Sequence, residues 1–278
     1  MANKIELIKM LREMTGAGMM DCKNALEAND YDLDKAKDWL REKGIATAAK
    51  KQARTAAEGL TTALIGANKT IIIEVNCETD FVSRGDIFVN LVDEIATLLF
   101  ESNAKTLEQA QEIVAPLLQE ATLKIGEKLL LRRFEVISAK RENVFAYKHM
   151  GGKITSVVVL EKADDELARG LAMHIAANNP FYITRNDIPA SEVEHEKKIQ
   201  LEAAKNDEEL AKKPENILEK IILGKVNKYF SESTLADQVY LLDGEKKVAN
   251  VLKEKDNRVV KFVRYQVGDG VAKVSCQN

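Results

Sequence analysis

Histidine and cysteine are scarce: 278 residues hold three of each. Cys22, Cys77 and Cys276 are odd in number and far apart, without CxxC or CxxxxH spacing. That arithmetic suggests neither a disulfide framework nor a zinc site, and free thiols fit a reducing compartment. Apolar runs long enough to span a bilayer are missing, and residues 1–6 hold no apolar signal core. The chain therefore reads as cytoplasmic, with no membrane partner. Positive charge is not in excess either. The 41 basic residues stand against 44 acidic ones, a net charge of -3, and basic–aromatic interleaving is scarce. No direct nucleic-acid partner is expected.

Enzyme motifs are absent as well. Gly152-Lys153 is followed by Ile154 rather than a hydroxyl residue, so it fails the phosphate-loop pattern and reads as a hairpin turn. No serine elbow, HExxH or glycine-rich dinucleotide loop occurs. His174 sits among Ala172, Met173, Ile175 and Ala176, the setting of a hydrogen-bonded core histidine rather than a base. No catalytic residue, metal or cofactor is expected, and the chain is not read as an enzyme of covalent chemistry.

What is present is a globular balance, with 45% apolar and 31% charged residues, in a chain long enough for two or more domains. Residues 1–44 predict a three-helix docking module. Leu7, Ile8, Leu11 and Met14 share one helical face, Thr15-Gly16-Ala17-Gly18 breaks it, and a second helix runs from Met19 to Ala28. Asp32 suits the N-cap of a third helix and Gly44 its C-cap. Residues 45–58, alanine- and lysine-rich, read as a linker with some helical character. From residue 59 the pattern turns to α+β. A hairpin is expected around residues 66–69, and the β-branched run Ile71-Ile72-Ile73 suits a sheet. Helices follow from Ile87 to Phe100 and between Thr106 and Lys124, then a strand over 129–138. A second hairpin turns at Gly151-Gly152, and a helix over 166–177 stops before Pro180. Residues 187–230 read as an inserted helical hairpin, opened by a capping box at Ser191–Glu194. A helix over 247–255 and a strand over 259–267 close the pattern.

The segment around Gly66 parallels that around Gly151, and Arg133-Phe134-Glu135-Val136 parallels Arg264-Tyr265-Gln266-Val267. Such self-similarity marks duplicated units. The core is therefore read as an N-terminal half, 59–140, and a C-terminal half, 141–186 with 231–270, interrupted by the hairpin. A short tail, 271–278, follows.

Two segments invite a binding role. Phe81 and Val82 lie among turn-forming and charged residues just after a buried-looking strand. They can staple the next helix to the core, with Asp80 or Asp86 as its cap, or Phe81 can stand out as a wedge for a partner's pocket. Met19 and Met20, adjacent on a helix, cannot both face one stripe. They either fill gaps between helices or offer an adaptable contact surface.

The runs Leu11–Lys23 and Glu74–Val82 resemble the two signatures of the elongation factor Ts family, the second centred on Thr79-Asp80-Phe81-Val82. Further similar blocks are 124–127, 172–177 and 262–270, so the resemblance covers nearly the whole chain in order. It implies a UBA-like three-helix module, a duplicated α+β core with antiparallel sheets and an inserted antiparallel helical hairpin. It also implies guanine-nucleotide exchange on elongation factor Tu, met both GDP-bound and nucleotide-free. On that resemblance Arg12, Met19, Met20 and Lys23 dock on the partner's nucleotide domain. Thr79, Asp80, Phe81 and Val82 form the turn pressed toward its magnesium site, and Ile125, Gly126 and His149 support contact elsewhere. Some relatives continue into a further C-terminal helix, which the short tail lacks. The rival readings are a non-catalytic interaction adaptor and an RNA-binding or chaperone accessory.

Overall fold

The computed structural model describes residues 4–207 and 213–271. It is a mixed α+β structure of helices and three-stranded sheets. The described residues fall into two compact units. One gathers residues 4–138, Lys148–Thr155 and 265–271; the other gathers Ala139–Tyr147 and Ser156–Arg264.

The first unit opens with α1 (Lys4–Thr15), α2 (Met19–Ala28) and α3 (Leu33–Lys51). Leu11, Cys22, Leu26, Ala36 and Leu40 bury their side chains together. Asp32 caps α3 as its sequence predicts, accepting from the amides of Asp34 and Lys35 at 3.0 and 3.1 Å. Gly44 is not the C-cap. It lies inside α3, because the helix runs seven residues further, to Lys51, and packs on α6 (Leu107–Ile125). A Cβ at Gly44 would come within 3.2 Å of the Gln119 carbonyl oxygen, so glycine sets how closely these helices approach. Part of the expected linker is thus packed helix, which the small side chains of Ala46, Ala48 and Ala49 permit.

Strands β1 (Glu58–Ile65), β2 (Lys69–Cys77) and β3 (Leu130–Ser138) form an antiparallel sheet in the order β1-β2-β3. The short α4 (Asp80–Arg84), then α5 (Asp86–Glu101) and α6, connect β2 to β3. Residues 107–125 form one helix despite the interior Pro116. Ile71, Ile73 and Val75 of β2 pack against Phe88, Leu91, Ile95 and Leu99 of α5. That apolar interface fixes the corner between β2 and α5. Mid-strand Glu74 is fully buried. Arg132 at 3.1 Å and Arg133 pair with it, and Gly268 donates its amide at 2.9 Å, the pairing that a buried carboxylate needs.

The second unit is built on β4 (Val144–His149), β5 (Ile154–Leu160) and β6 (Val259–Gln266), in the order β4-β5-β6; residues at one end of each strand group with the first unit. Helix α7 (Asp165–Asn178) buries Leu167, Leu171 and Ile175 against Val158 and Leu160, with Val248 and Leu252 of α10 (Val248–Glu254) beside them. His174 is fully buried and hydrogen-bonded, as its apolar setting predicts. Leu241 N–H and Asn178 Nδ2 donate to its Nδ1 at 3.1 and 3.0 Å, and Nε2 lies 2.8 Å from Gln238 Oε1. These partners put the ring proton on Nε2, and burial holds the imidazole pKa below its ordinary value.

Helices α8 (Ala190–Lys205) and α9 (Glu215–Ser233) pack together, with Ile222, Val226 and Phe230 of α9 in a small core of their own. The capping box expected at Ser191–Glu194 is not formed. Pro189 precedes α8, and the reciprocal box belongs instead to Thr184 and Asp187, where a one-turn helix needs its end groups satisfied. Residues 208–212, much of the expected tail from residue 272 on, and Cys276 lie outside the described residues. Among the described residues no helix is long and apolar enough to cross a membrane, and no group of three or more His, Cys, Asp or Glu is placed to hold a metal.

Candidate functional site

The corner between β2 and α5 combines a fixed backbone with a projecting aromatic ring. Thr79 leaves the strand with extended backbone angles, and its hydroxyl caps α4 by accepting from Val82 N at 3.4 Å. The cap is therefore Thr79, not Asp80 or Asp86. Thr79 precedes the first helical residue, whereas Asp80 is already inside the turn and pairs with Arg84 at 3.0 Å. Gly85 caps α5 without a side chain.

The turn is held from behind by residues distant in sequence. Glu127 accepts the amides of Glu78 and Thr79 on Oε2, at 2.9 and 3.0 Å, and the Thr79 hydroxyl on Oε1 at 2.6 Å. One carboxylate thereby satisfies three donors of the turn, and bonds to a charged acceptor are the strong ones. Glu78 accepts the Lys128 amide at 2.6 Å. On the other side, Lys153 Nζ donates to Ser83 Oγ at 3.0 Å, to Glu58 at 2.9 Å and to the Gly59 carbonyl at 3.2 Å. Cys77 Sγ donates to the Thr79 carbonyl at 3.2 Å, and burial pushes its thiol pKa up to about 12. It stays protonated at neutral pH and is no nucleophile.

Against this base, Val82 packs inward on the core, while the Phe81 ring is 86% exposed. Only half of the staple reading holds: Val82 anchors, and Phe81 does not. Ile87, on the first turn of α5, is also largely exposed. Two apolar side chains thus reach solvent at a corner whose backbone is fastened by charge-assisted hydrogen bonds.

The model named Elongation factor TS matches residues 78–269. The Elongation factor Ts of Acholeplasma laidlawii is 44% identical over 277 residues, covering 96% of this chain and 93% of its own length. That of Pediococcus pentosaceus is 43% identical over 275 residues, with the same coverage. The chain belongs to the elongation factor Ts family. In this member, both signature segments lie in the first unit.

On the N-terminal module, Arg12, Met19, Met20 and Lys23 are all exposed. Met19 and Met20 show 56% and 63% of their surface, so neither fills the core between the helices. Lys23 lies 3.8 Å from Glu27, a loose surface pair. Ile125 and Gly126 end α6. Ile125 is half-buried against the sheet core, and Gly126 takes the left-handed conformation, φ 81°, that terminates the helix. Lys51 donates to the Gly126 carbonyl. His149 is exposed at the end of β4. Helix α6 therefore links the N-terminal module to the corner: its body packs on α3, and the residue after its cap, Glu127, holds Thr79.

Glu127, Lys153 and Ile87 are residues that sequence reasoning did not single out. Glu127 directly follows a helix-ending glycine, which was a signal for a carboxylate with a fixed backbone. Lys153 lies at a hairpin turn and gives no local sign of its partner, Ser83. Ile87 falls outside the stripe Phe88, Leu91, Val92, Ile95 and is marked only by that mismatch.

Proposed function

We propose that this chain promotes GDP release from elongation factor Tu by pressing the Phe81 corner into the partner's nucleotide domain. The carrying observation is an aromatic ring held out in water by a turn whose Glu78, Thr79 and Val82 amides already have acceptors. An exposed ring on a mobile loop would lose ordering entropy on docking; this one is ordered beforehand. Burying the ring contributes on the order of 2 kcal/mol. That energy offsets distortion of a Mg²⁺ site, whose octahedral geometry tolerates little displacement of its ligands. Linkage makes the antagonism mutual: the factor by which the chain weakens GDP is the factor by which GDP weakens the chain.

In this reading Arg12, Met19, Met20 and Lys23 form the docking face of a UBA-like module. Thr79 and Val82 hold the turn, and Asp80 fixes it further through Arg84. Ile125, Gly126 and His149 support the contact elsewhere. The partner is met both GDP-bound and nucleotide-free, in the cytoplasm, and the chain itself transforms no substrate. The core is a duplicated pair of α+β halves. Supporting that duplication, each sheet joins two consecutive strands to a later third strand, and the parallel segments at Arg133 and Arg264 fall in β3 and β6.

Stopped-flow release of fluorescent GDP from elongation factor Tu tests the mechanism. Wild-type chain accelerates release, and Phe81→Ala slows the accelerated rate by about 30-fold. An undiminished rate removes the wedge. A wild-type chain that binds without accelerating release is an adaptor instead.

A further inference from the structure

The second unit carries a recess of about 450 Å³ at the base of the α8–α9 pair, lined chiefly by Phe181, Tyr182, Tyr229, Phe230, Glu192 and Glu232. The exchange mechanism uses none of these residues. The volume lies within the range of ordinary ligand sites. Its aromatic content is unusual in a chain with 5% aromatic residues. Phe181 and Tyr229 leave 68% and 54% of their surface in water, whereas neighbouring Phe230 is buried in the core of the helix pair. The two exposed rings therefore serve no core.

The walls are built rather than loose. Phe181 and Tyr182 donate their amides to the Ser233 carbonyl at 2.8 and 3.2 Å, and Leu235 donates back to the Tyr182 carbonyl at 2.8 Å. Tyr229 and Phe230 meet edge to face, with centroids 5.1 Å apart and planes at 80°. The Tyr182 hydroxyl donates to Glu192, and that bond pushes the phenol pKa up to about 12. The phenol stays protonated and keeps the carboxylate in place. Among the described residues no lysine or arginine lines the recess. The nearby Arg185 is committed to Asp237 and Asn227.

We propose that this recess binds an arginine side chain presented by a basic segment of a protein partner. Ring faces attract a cation through their quadrupoles, and the flat guanidinium stacks on them where a compact ammonium does not. Glu192 and Glu232 supply acceptors of opposite charge, at which a guanidinium makes directed hydrogen bonds. The recess exceeds one side chain in volume, which leaves room for the flanking backbone of the segment.

The test is an amide NMR titration of the full chain with the peptide acetyl-Gly-Arg-Gly-amide, its citrulline analogue and its lysine analogue. The arginine peptide is expected to shift amides at 179–182 and 229–233 in a saturable way. The neutral citrulline peptide binds about tenfold more weakly, and the lysine peptide falls in between. Tyr229→Ala and Glu232→Gln, each checked for an unchanged melting temperature, both weaken the arginine response; Glu232→Gln guards against a packing defect in the ring variant. Equal binding of citrulline, equal binding of lysine, scattered shifts, or a response undiminished in both variants overturns the assignment.

Discussion

The Phe81 corner and the His174 centre are inverse uses of the same resources. Each places an unusual ring on an otherwise apolar or turn-forming stretch, and each surrounds it with hydrogen bonds. At His174 the bonds reach the ring itself: Leu241, Asn178 and Gln238 occupy both nitrogens of a fully buried imidazole. At the corner the bonds go to the backbone and hydroxyls of the turn beneath the ring. Glu127 takes Glu78 and Thr79, Lys153 takes Ser83, and Phe81 is left outside. A satisfied ring in the interior contributes to stability. A fastened turn under an exposed ring holds that ring ready for another molecule.

The largest expected break in this comparison comes from Phe81→Ala. It is expected to cost the roughly 30-fold in release rate given above while leaving the melting temperature unchanged, because an exposed side chain contributes little to folding. Calorimetric melting beside the exchange assay separates the two. A large loss of stability would place the ring in the core and undo the contrast. Next is Glu127→Ala, which leaves two turn amides and the Thr79 hydroxyl without their acceptor. It is expected to slow release about tenfold and to lower stability by about 1–2 kcal/mol. Glu127→Gln keeps an acceptor oxygen but not the charge, and recovers part of the rate. If Glu127→Ala exchanges normally, the turn is not held by its base. Smaller again is Met20→Ala, expected to weaken the complex about fivefold in calorimetry with no change in fold.

Most of the architecture was legible because period and punctuation agreed. The β-branched run from Ile71 became β2, the Gly151-Gly152 turn separates β4 from β5, and Asp32 caps α3. Two local readings failed. Gly44 looks like a helix end when only local propensity is weighed, but packing on α6 carries the helix past it. Ser191–Glu194 has the spacing of a capping box, yet Pro189 already supplies a suitable entry to α8. The same limit applies at the site. Phe81 was visible as a misplaced aromatic, with wedge and staple both open. What separates them is exposure, and exposure depends on Glu127 and Lys153, which lie 48 and 70 residues from their partners Thr79 and Ser83. No local pattern encodes those contacts.

The smallest expected effect concerns pH. Burial lowers the His174 pKa in the folded protein below its ordinary 6.5. The unfolded chain therefore binds the proton more readily than the folded one. Stability from the neutral buried ring is fully present above the unfolded value of about 6.5. It declines as pH falls through the lower folded value. Between pH 8 and 7 the histidine adds no slope, and below pH 6 the second unit loses stability to protonation of a ring that cannot be solvated. His174→Gln, which retains a polar side chain but has no titrating group, is expected to be less stable at pH 8. It should lose less on acidification than wild type. Denaturant melts of both proteins at pH 8, 6 and 5 read the difference directly. Parallel acid dependence in the two would mean that His174 is not the buried base whose protonation opposes folding. Exchange at pH 7.5 is expected to be the same in both, since His174 takes no part in holding the Phe81 corner.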